Sequence, residues 1–203
     1  MILVDGGSKD ETTSVGGPLV DQLLTAQRGR AAQMNKGVAH AEGDYVLFLH
    51  ADTNMSERQL RALITRLAPG CIVWGRFDVR IDAPHVLLRV VEWLVNWRSR
   101  LTGIATGDQA IFIRRSTLVD LGGFADLPIM EDIELTSRLR RIARPTCLHE
   151  RVQTSARRWL QHGIVRTIVL MWLMRAAYAC GVSPQRLKRW YADHQSPRFI
   201  TKT

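Results

Sequence analysis

An apolar run that ends in a polar loop and is followed by a helix occurs twice in this sequence, and this repeat constrains the fold more than any other feature. The first run, residues 2–4, ends at Asp5, and the second, residues 45–49, ends shortly before Asp52. The second run is apolar on both faces, as in the interior of a parallel sheet. A capping box at Ser56 then begins a helix. The repeated strand, loop and helix predict an α/β fold with a mixed, mainly parallel sheet flanked by helices.

The rest of the chain continues this alternation. Apolar periodicity and turn residues predict further strands at 71–74, 77–81 and 110–113. Helices are predicted at 18–24, 30–41, 56–67, 86–101, 116–121 and 131–143, and from Pro184 onward. With 203 residues, of which 46% are hydrophobic and 23% charged, the chain suits one globular domain and is neither disordered nor fibrous.

The cysteines and the first residues indicate a compartment. Cys71, Cys147 and Cys180 are far apart, odd in number and form no C-x-x-C pair, so neither a disulfide framework nor a cysteine-based zinc site is predicted. The first seven residues show neither the basic nor the long apolar segment of a secretory signal. We therefore expect a cytoplasmic protein.

Positive charge is concentrated at the end of the chain. Residues 1–150 carry 18 Lys and Arg against 18 Asp and Glu, whereas residues 151–203 carry 10 against 1. We therefore divide the chain into a neutral catalytic domain at 1–150 and a basic helical extension at 151–203. Apolar residues lie between the basic ones, which favours an anionic membrane surface over nucleic acid as the partner; a solvated or subunit-facing surface is the alternative.

The most hydrophobic segment of this extension lies between Gly163 and Gly181. Only 17 residues separate the two glycines, and Arg166 and Arg175 interrupt them, so a single membrane span is not expected. The two arginines point to opposite sides of a helix. We expect a helix that contacts the inner membrane face peripherally or forms a homodimer, with burial under the sheet as the alternative.

Several charged residues have the chemistry of a phosphate-binding site. Ligands bind at the carboxyl ends of parallel strands, where Asp5 and Asp52 are placed to coordinate a hard cation, although carboxylates here also cap helices. Arg28 and Arg30 stand at a helix N-terminus, where the helix dipole opposes positive charge and an anion would relieve the conflict. Solvated surface arginines are the alternative.

Two adjacent carboxylates, Glu131 and Asp132, begin another helix directly after the loop containing Pro128. They either compensate the helix dipole or present a general base. Asp108, in a glycine-rich loop, is expected to face the same cleft.

Taken together, these stretches resemble the family 2 glycosyltransferases with the nucleotide-diphospho-sugar (GT-A) fold, particularly the small bacterial members described as rSAM/selenodomain-associated transferases. The matching stretches run in the family's order over about two-thirds of the chain. They are Val4 to Asp10, Arg28 to Gly37, Phe48 to Thr53, Gly107 to Phe112 and Leu127 to Leu135.

The resemblance implies a role for each candidate residue. Asp5 and Gly6 would contact the nucleotide, and Arg30 with Arg28 the diphosphate of a nucleotide-sugar donor. Asp52 falls at the metal-binding D-x-D position and would hold Mg²⁺ or Mn²⁺, with His50 in place of the first carboxylate. Asp132 matches the catalytic base, with Glu131 and Asp108 beside it. Arg157-Arg158-Trp159 resembles an R/Q-x-x-R-W element that closes over the acceptor in processive relatives.

The resemblance also implies a strand and helix before Met1, which this sequence lacks. The absent strand would be central in the sheet, so we expect unpaired backbone edges, for which dimerisation is one remedy. The leading interpretation is an inverting, metal-dependent transferase that moves a sugar to an acceptor hydroxyl, including that of a lipid or polyprenyl acceptor. The alternatives are an inactive scaffold domain and a sugar nucleotidyltransferase that releases pyrophosphate.

Overall fold

The computed structural model describes residues 1–195. Its strands are β1 Ile2–Asp5, β2 Gln22–Thr25, β3 Tyr45–Leu47, β4 Thr53–Asn54, β5 Trp74–Asp82, β6 Phe112–Arg114 and β7 Thr146–Ser155. Its helices are α1 Thr12–Gly16, α2 Arg30–His40, α3 Glu57–Leu67, α4 Val86–Thr102, α5 Arg115–Asp120, α6 Glu131–Ile142, α7 Arg157–His162, α8 Ile164–Ala179 and α9 Pro184–Gln195. Single 3-10 turns lie at Gly17–Leu19 and Gly107–Gln109.

Five strands form a mixed central sheet in the order β3-β6-β5-β7-β4. The longest ladder, between β5 and β7, is parallel, and the other three pairings in this sheet are antiparallel. Gly75 lies where β5 is squeezed between its neighbours, because a Cβ there would overlap the Phe112 ring and the Thr146 carbonyl oxygen. The predicted α/β fold with a mixed sheet flanked by helices is confirmed.

Helices cover both faces of this sheet. On one face, α2, α5 and α6 pack into a cluster centred on Trp74, Ile113 and Leu135, which are completely buried. On the other face, α3 packs through Leu63 against Phe77 and Phe112. The α6 helix, which begins at Glu131, is therefore held firmly by its buried side chains.

The strands β1 and β2 form a separate parallel pair. Within the described residues, β1 pairs only with β2 and β3 only with β6, so each has one edge without a backbone ladder. The α2 helix packs on both strands, and its Gln33 Nε2 donates to the Val4 carbonyl oxygen at 2.9 Å. The edges of β1 and β3 are therefore without strand partners among residues 1–195.

Two local predictions need correction. The predicted helix at 18–24 is wrong, because Pro18 lies within a single 3-10 turn and Gln22–Thr25 pairs with β1 instead. In place of the predicted strands at 71–74 and 77–81, the chain forms one strand, β5, which begins only at Trp74 and continues through Gly75. In both cases pairing with a distant strand outweighs local preference.

The C-terminal helices pack back onto the rest of the chain. The strand β7 runs through residue 150, so the helical extension begins at Arg157. One side of α8 packs with α4 in a cluster that contains Ile164 and Leu88, and another side contributes Met174 to a cluster with Met130. A third side of α8 is exposed.

Candidate active site

Asp132 occupies the first turn of α6 and is fixed by two backbone groups. Met130 adopts a left-handed conformation, with φ of 69°, which turns the chain sharply into the helix. The Asp132 carboxylate accepts a hydrogen bond from the N–H of Ile133 at 2.7 Å and another from the N–H of Gly107 at 2.9 Å. Since an ionised carboxylate can accept about four hydrogen bonds, it retains capacity for a further donor.

The loop that carries Gly107 and Asp108 is tightly held. Thr106 and Gln109 form a capping box around the 3-10 turn, and the buried Gln109 amide donates to Ser99 Oγ at 3.3 Å. Gly107 packs against His50 so closely that any Cβ would overlap the imidazole ring. The loop therefore fixes the spacing between the end of β3 and the start of α6.

Asp108 and His50 face each other across this contact, with 3.5 Å between Asp108 Oδ1 and His50 Nδ1. Burial raises the pKa of the Asp108 carboxyl, but the interaction with His50 and the charges of Arg158 and Arg30 lower it by more. On balance the pKa of Asp108 is below its usual value, so the carboxyl group is ionised at neutral pH.

Glu131 is buried beside Asp132 and lies 3.7 Å from Arg30, measured from Oε1 to Nη1. Burial and the charge of Asp132 raise the pKa of Glu131, although Arg30 partly opposes this shift. Burial lowers the pKa of the Arg30 guanidinium, whereas Glu131, Asp108 and Asp132 raise it by more. Arg30 therefore joins the first turn of α2 to the acidic cluster.

Two further arginines lie near Asp132, and the sequence analysis assigned neither to the site. Burial and the charge of Arg175 lower the pKa of Arg98 to about 9, while Asp132 opposes this shift. Burial also lowers the pKa of Arg175, and Asp132 and Asp108 oppose it. The available signal was the interruption of an apolar helix by Arg175, whose side chain is partly buried and interacts with Asp132.

Asp5 organises the loop after β1. Its buried carboxylate accepts hydrogen bonds from the N–H of Gly7 at 2.8 Å and from the N–H of Ser8 at 2.9 Å, and the Ser8 hydroxyl donates to it as well. These bonds, those from Ser8 above all, lower the pKa of Asp5 despite its burial. Gly6 packs against Gln33, one turn along α2 from Arg30.

The candidate residues are thus only partly in contact. Asp132, Glu131, Asp108 and Arg30 form one cluster that also contains His50. Gly6 adjoins it through α2, and Asp52, which is exposed, follows His50 by two residues. Within residues 1–195, neither a hydrogen bond nor an ion pair joins Asp5 or Asp52 to Asp132. Arg28 lies exposed in the loop before α2.

A comparison with family models identifies the chain. The model described as Glycosyl transferase family 2 matches residues 1–119, which is more than half of the sequence. The chain belongs to glycosyl transferase family 2. The match confirms the family resemblance, and the start of α6 with Asp132 lies beyond the matched residues.

Curated relatives of this family 2 chain are longer than the chain itself. The Probable glycosyltransferase YdaM of Bacillus subtilis is 29% identical over 204 aligned positions, which cover 89% of this chain and 47% of the relative. The undecaprenyl-phosphate 4-deoxy-4-formamido-L-arabinose transferase of Pseudomonas syringae is 29% identical over 134 positions, covering 59% and 39%. The chain therefore spans less than half the length of these relatives.

Solved structures share the fold. TarS 1-349 of S. aureus in complex with UDP has a TM-score of 0.61 and 18% identity, covering 76% of this chain and 50% of its own. The mannosyltransferase PcManGT of Pyrobaculum calidifontis, in complex with GDP-Man and Mn²⁺, has a TM-score of 0.54 and 23% identity, covering 75% and 46%. These likenesses support the GT-A architecture of the family 2 chain.

Asp52 is the candidate metal ligand that the sequence predicted. Within residues 1–195, no group of three or more His, Cys, Asp or Glu side chains is arranged to hold a metal ion. A protein site for Mg²⁺ often supplies only one or two carboxylates, and the phosphates of a nucleotide complete the coordination. Asp52 offers one exposed carboxylate of this kind.

Proposed function

We propose that this protein transfers a sugar from a nucleoside-diphosphate donor to an acceptor hydroxyl with inversion at the anomeric carbon, and that Asp132 is the general base. The observation that carries this proposal is the position of the Asp132 carboxylate. It is fixed by the N–H groups of Gly107 and Ile133 and lies in a cluster that contains Arg30. A fixed carboxylate beside permanent cations suits a reaction that removes a proton and releases an anion.

The donor is expected to lie along the loop after β1 and the first turn of α2. Asp5 shapes that loop, Gly6 allows close approach to α2, and Arg30 offers a cation with Arg28 in the adjoining loop. Guanidinium groups at a helix N-terminus bind diphosphates well. The solved neighbours in complex with UDP and with GDP-Man support a nucleotide-sugar donor.

In the transfer step, the acceptor oxygen forms a bond to the anomeric carbon as the bond to the diphosphate oxygen breaks. Asp132 takes the proton of the acceptor hydroxyl, and the leaving nucleoside diphosphate keeps the electron pair. Arg30 stabilises the charge that develops on the leaving group. Asp52 would hold Mg²⁺ or Mn²⁺, and that ion, when bound, would neutralise part of the same charge.

The remaining features of the proposal are its partners and location. The relative named for undecaprenyl phosphate supports a lipid or polyprenyl acceptor. The edges of β1 and β3 have backbone groups with which the backbone of a second copy of this protein can pair. This is the basis for a homodimer. A cytoplasmic location is supported by the three cysteines, which form no disulfide, because the cytoplasm keeps thiols reduced. None of the helices within residues 1–195 combines the length and the hydropathy that a bilayer span needs.

Asp132→Asn tests the proposed function. The amide keeps the shape of the side chain but cannot take a proton, so we expect release of nucleoside diphosphate from the donor to fall by about 10²–10⁴-fold. The variant should keep the thermal stabilisation that UDP or GDP with Mn²⁺ gives the parent. Asp126→Asn, an exposed carboxylate six residues earlier, is the matched control and should behave like the parent.

Two results would contradict the proposal. If Asp132→Asn turned over the donor at the parent rate, Asp132 would not be the general base. Absence of stabilisation by any nucleoside diphosphate in the parent, with Asp52→Ala behaving identically, would favour a scaffold domain instead.

A further inference from the structure

The outer face of α4 carries a continuous apolar stripe that no part of residues 1–195 covers. It consists of Val86, Val90, Trp93, Trp97 and Leu101, which follow one another at intervals of three or four residues and therefore share one side of the helix. Trp93 and Trp97 are 60% and 51% exposed, and their rings stack with centroids 5.9 Å apart. Large apolar side chains so exposed on one side of a helix indicate a docking surface.

The neighbouring helix α8 carries a second stripe. Val165, Val169, Trp172 and Leu173 are all more than half exposed. The two helices pack together elsewhere, through a cluster that includes Leu88 of α4 and Ile164 of α8. We call the two exposed stripes together the tryptophan face; its members are Val86, Val90, Trp93, Trp97, Leu101, Val165, Val169, Trp172 and Leu173.

The tryptophan face reaches the size of the largest apolar patches on ordinary monomers. A tryptophan contributes about 150–250 Å², so three that each expose half or more of their surface supply on the order of 300 Å². That is already the lower bound of the largest apolar patch on a typical monomer, about 300–600 Å². The six aliphatic residues add to it.

The charge of the chain segment that contains α8 indicates the occupant of the tryptophan face. Residues 157–192 contain no Asp or Glu, and their exposed basic residues include Arg157 and Lys188. The acid of α4, Glu92, is buried and paired with Arg89. A symmetric contact between two copies would bring like charges together, whereas an anionic bilayer would attract them.

We propose that the tryptophan face docks the protein on the surface of an anionic lipid bilayer, with its tryptophan rings at the level of the headgroups. Tryptophan is enriched at that level because its ring is apolar while its N–H needs a polar partner. Docking is interfacial, since no helix of residues 1–195 is suited to span a membrane.

The same two helices face the candidate active site with their inner sides. Arg98 of α4 and Arg175 of α8 both interact with the charge of Asp132. Docking would therefore hold the two helices that adjoin the site against the bilayer, which is where an acceptor with a lipid tail would be found. This last step rests on the proposed function, whereas the docking itself does not.

Vesicle flotation of the full chain tests the docking. We expect the parent to float with vesicles of phosphatidylcholine mixed with phosphatidylglycerol, to bind phosphatidylcholine alone weakly, and to lose binding in high salt. Replacing Trp93, Trp97 and Trp172 together by alanine should weaken binding by about tenfold or more, because their rings supply much of the apolar area of the tryptophan face. Tryptophan fluorescence of the parent should shift to the blue on binding.

The control variant combines Leu19→Ala, Ile64→Ala and Val119→Ala, which remove exposed apolar side chains outside the tryptophan face. It should float like the parent. Asp132→Asn should also float like the parent, which separates failure of docking from failure of the proposed reaction. Thermal unfolding of each variant verifies its fold.

Three outcomes would overturn the docking proposal. They are a parent that does not bind the anionic vesicles, a triple tryptophan variant that binds them as the parent does, and a parent dimer that becomes monomeric in the same variant by light scattering.

Discussion

Gly107 connects three parts of the candidate site because it has no side chain. Its N–H donates to Asp132 while its Cα packs on the His50 ring. The next residue, Asp108, faces His50 in turn. Since the position of the base depends on this contact, the geometry of the site is sensitive to a single methyl group.

We expect Gly107→Ala to lower the free energy of unfolding by about 1–3 kcal/mol, because the new methyl group would overlap the His50 ring. Sugar transfer should fall on the order of a hundredfold, as the loop shifts away from Asp132. Chemical denaturation and donor turnover measure the two effects. Gly37→Ala, whose Cβ would meet only Val4 at 3.4 Å, is the control. Parent-like activity in Gly107→Ala would show that the contact is not needed.

At the scale of elements, side chains of α4 form hydrogen bonds with β5 where that strand has extended beyond its short pairing with β6. The Asn96 amide bonds both the N–H and the carbonyl oxygen of Val79, as a paired strand would. Below it, the buried Arg76 guanidinium contacts Asp78, which also accepts from Arg100 at 2.7 Å. Sequence periodicity predicted both elements but not this bonding, because apolar patterns do not show which polar side chains turn inward.

Asp78→Asn tests the importance of this network. Burial raises the pKa of Asp78, but Arg100 and Arg76 lower it by more. The ionised group therefore stabilises the fold above about pH 4 and loses that effect as the pH falls through its lowered pKa. We expect the variant to lose about 3–5 kcal/mol at pH 7, since Arg76 is left buried without a counter-charge.

Urea unfolding at neutral and acidic pH measures this loss. The difference between parent and Asp78→Asn should shrink in acid, and Asp82→Asn, an exposed change on the same strand, should cost little. A difference that is constant with pH would be inconsistent with an ionised Asp78.

At the scale of the whole molecule, the C-terminal helices close over the start of α6. Met130, Met174 and Leu187 form one buried cluster that joins the loop before Glu131 to α8 and α9. Helices α8 and α9 and the loop before the candidate catalytic residues are consequently packed together.

Leu187→Ala should therefore disturb the site from a distance. The side chain is completely buried, and its truncation is expected to cost about 2–5 kcal/mol. Amide hydrogen exchange should rise in α9 and in residues 129–133. Leu160→Ala, an exposed leucine on α7, is the control. Unchanged exchange at 129–133 would mean that α9 does not support the site.

The sequence by itself determined the α/β class, most helices, and the positions at which acidic and basic side chains follow the strands. These features depend on residues close together in the chain, whose apolar periodicity and capping act locally. Only the tertiary structure decided that residues 22–25 pair as a strand, that Gly107 holds Asp132, and that Arg175 turns inward while Trp93 stays outside. Periodicity shows which side of a helix is apolar but not what covers it, because the cover comes from distant parts of the chain.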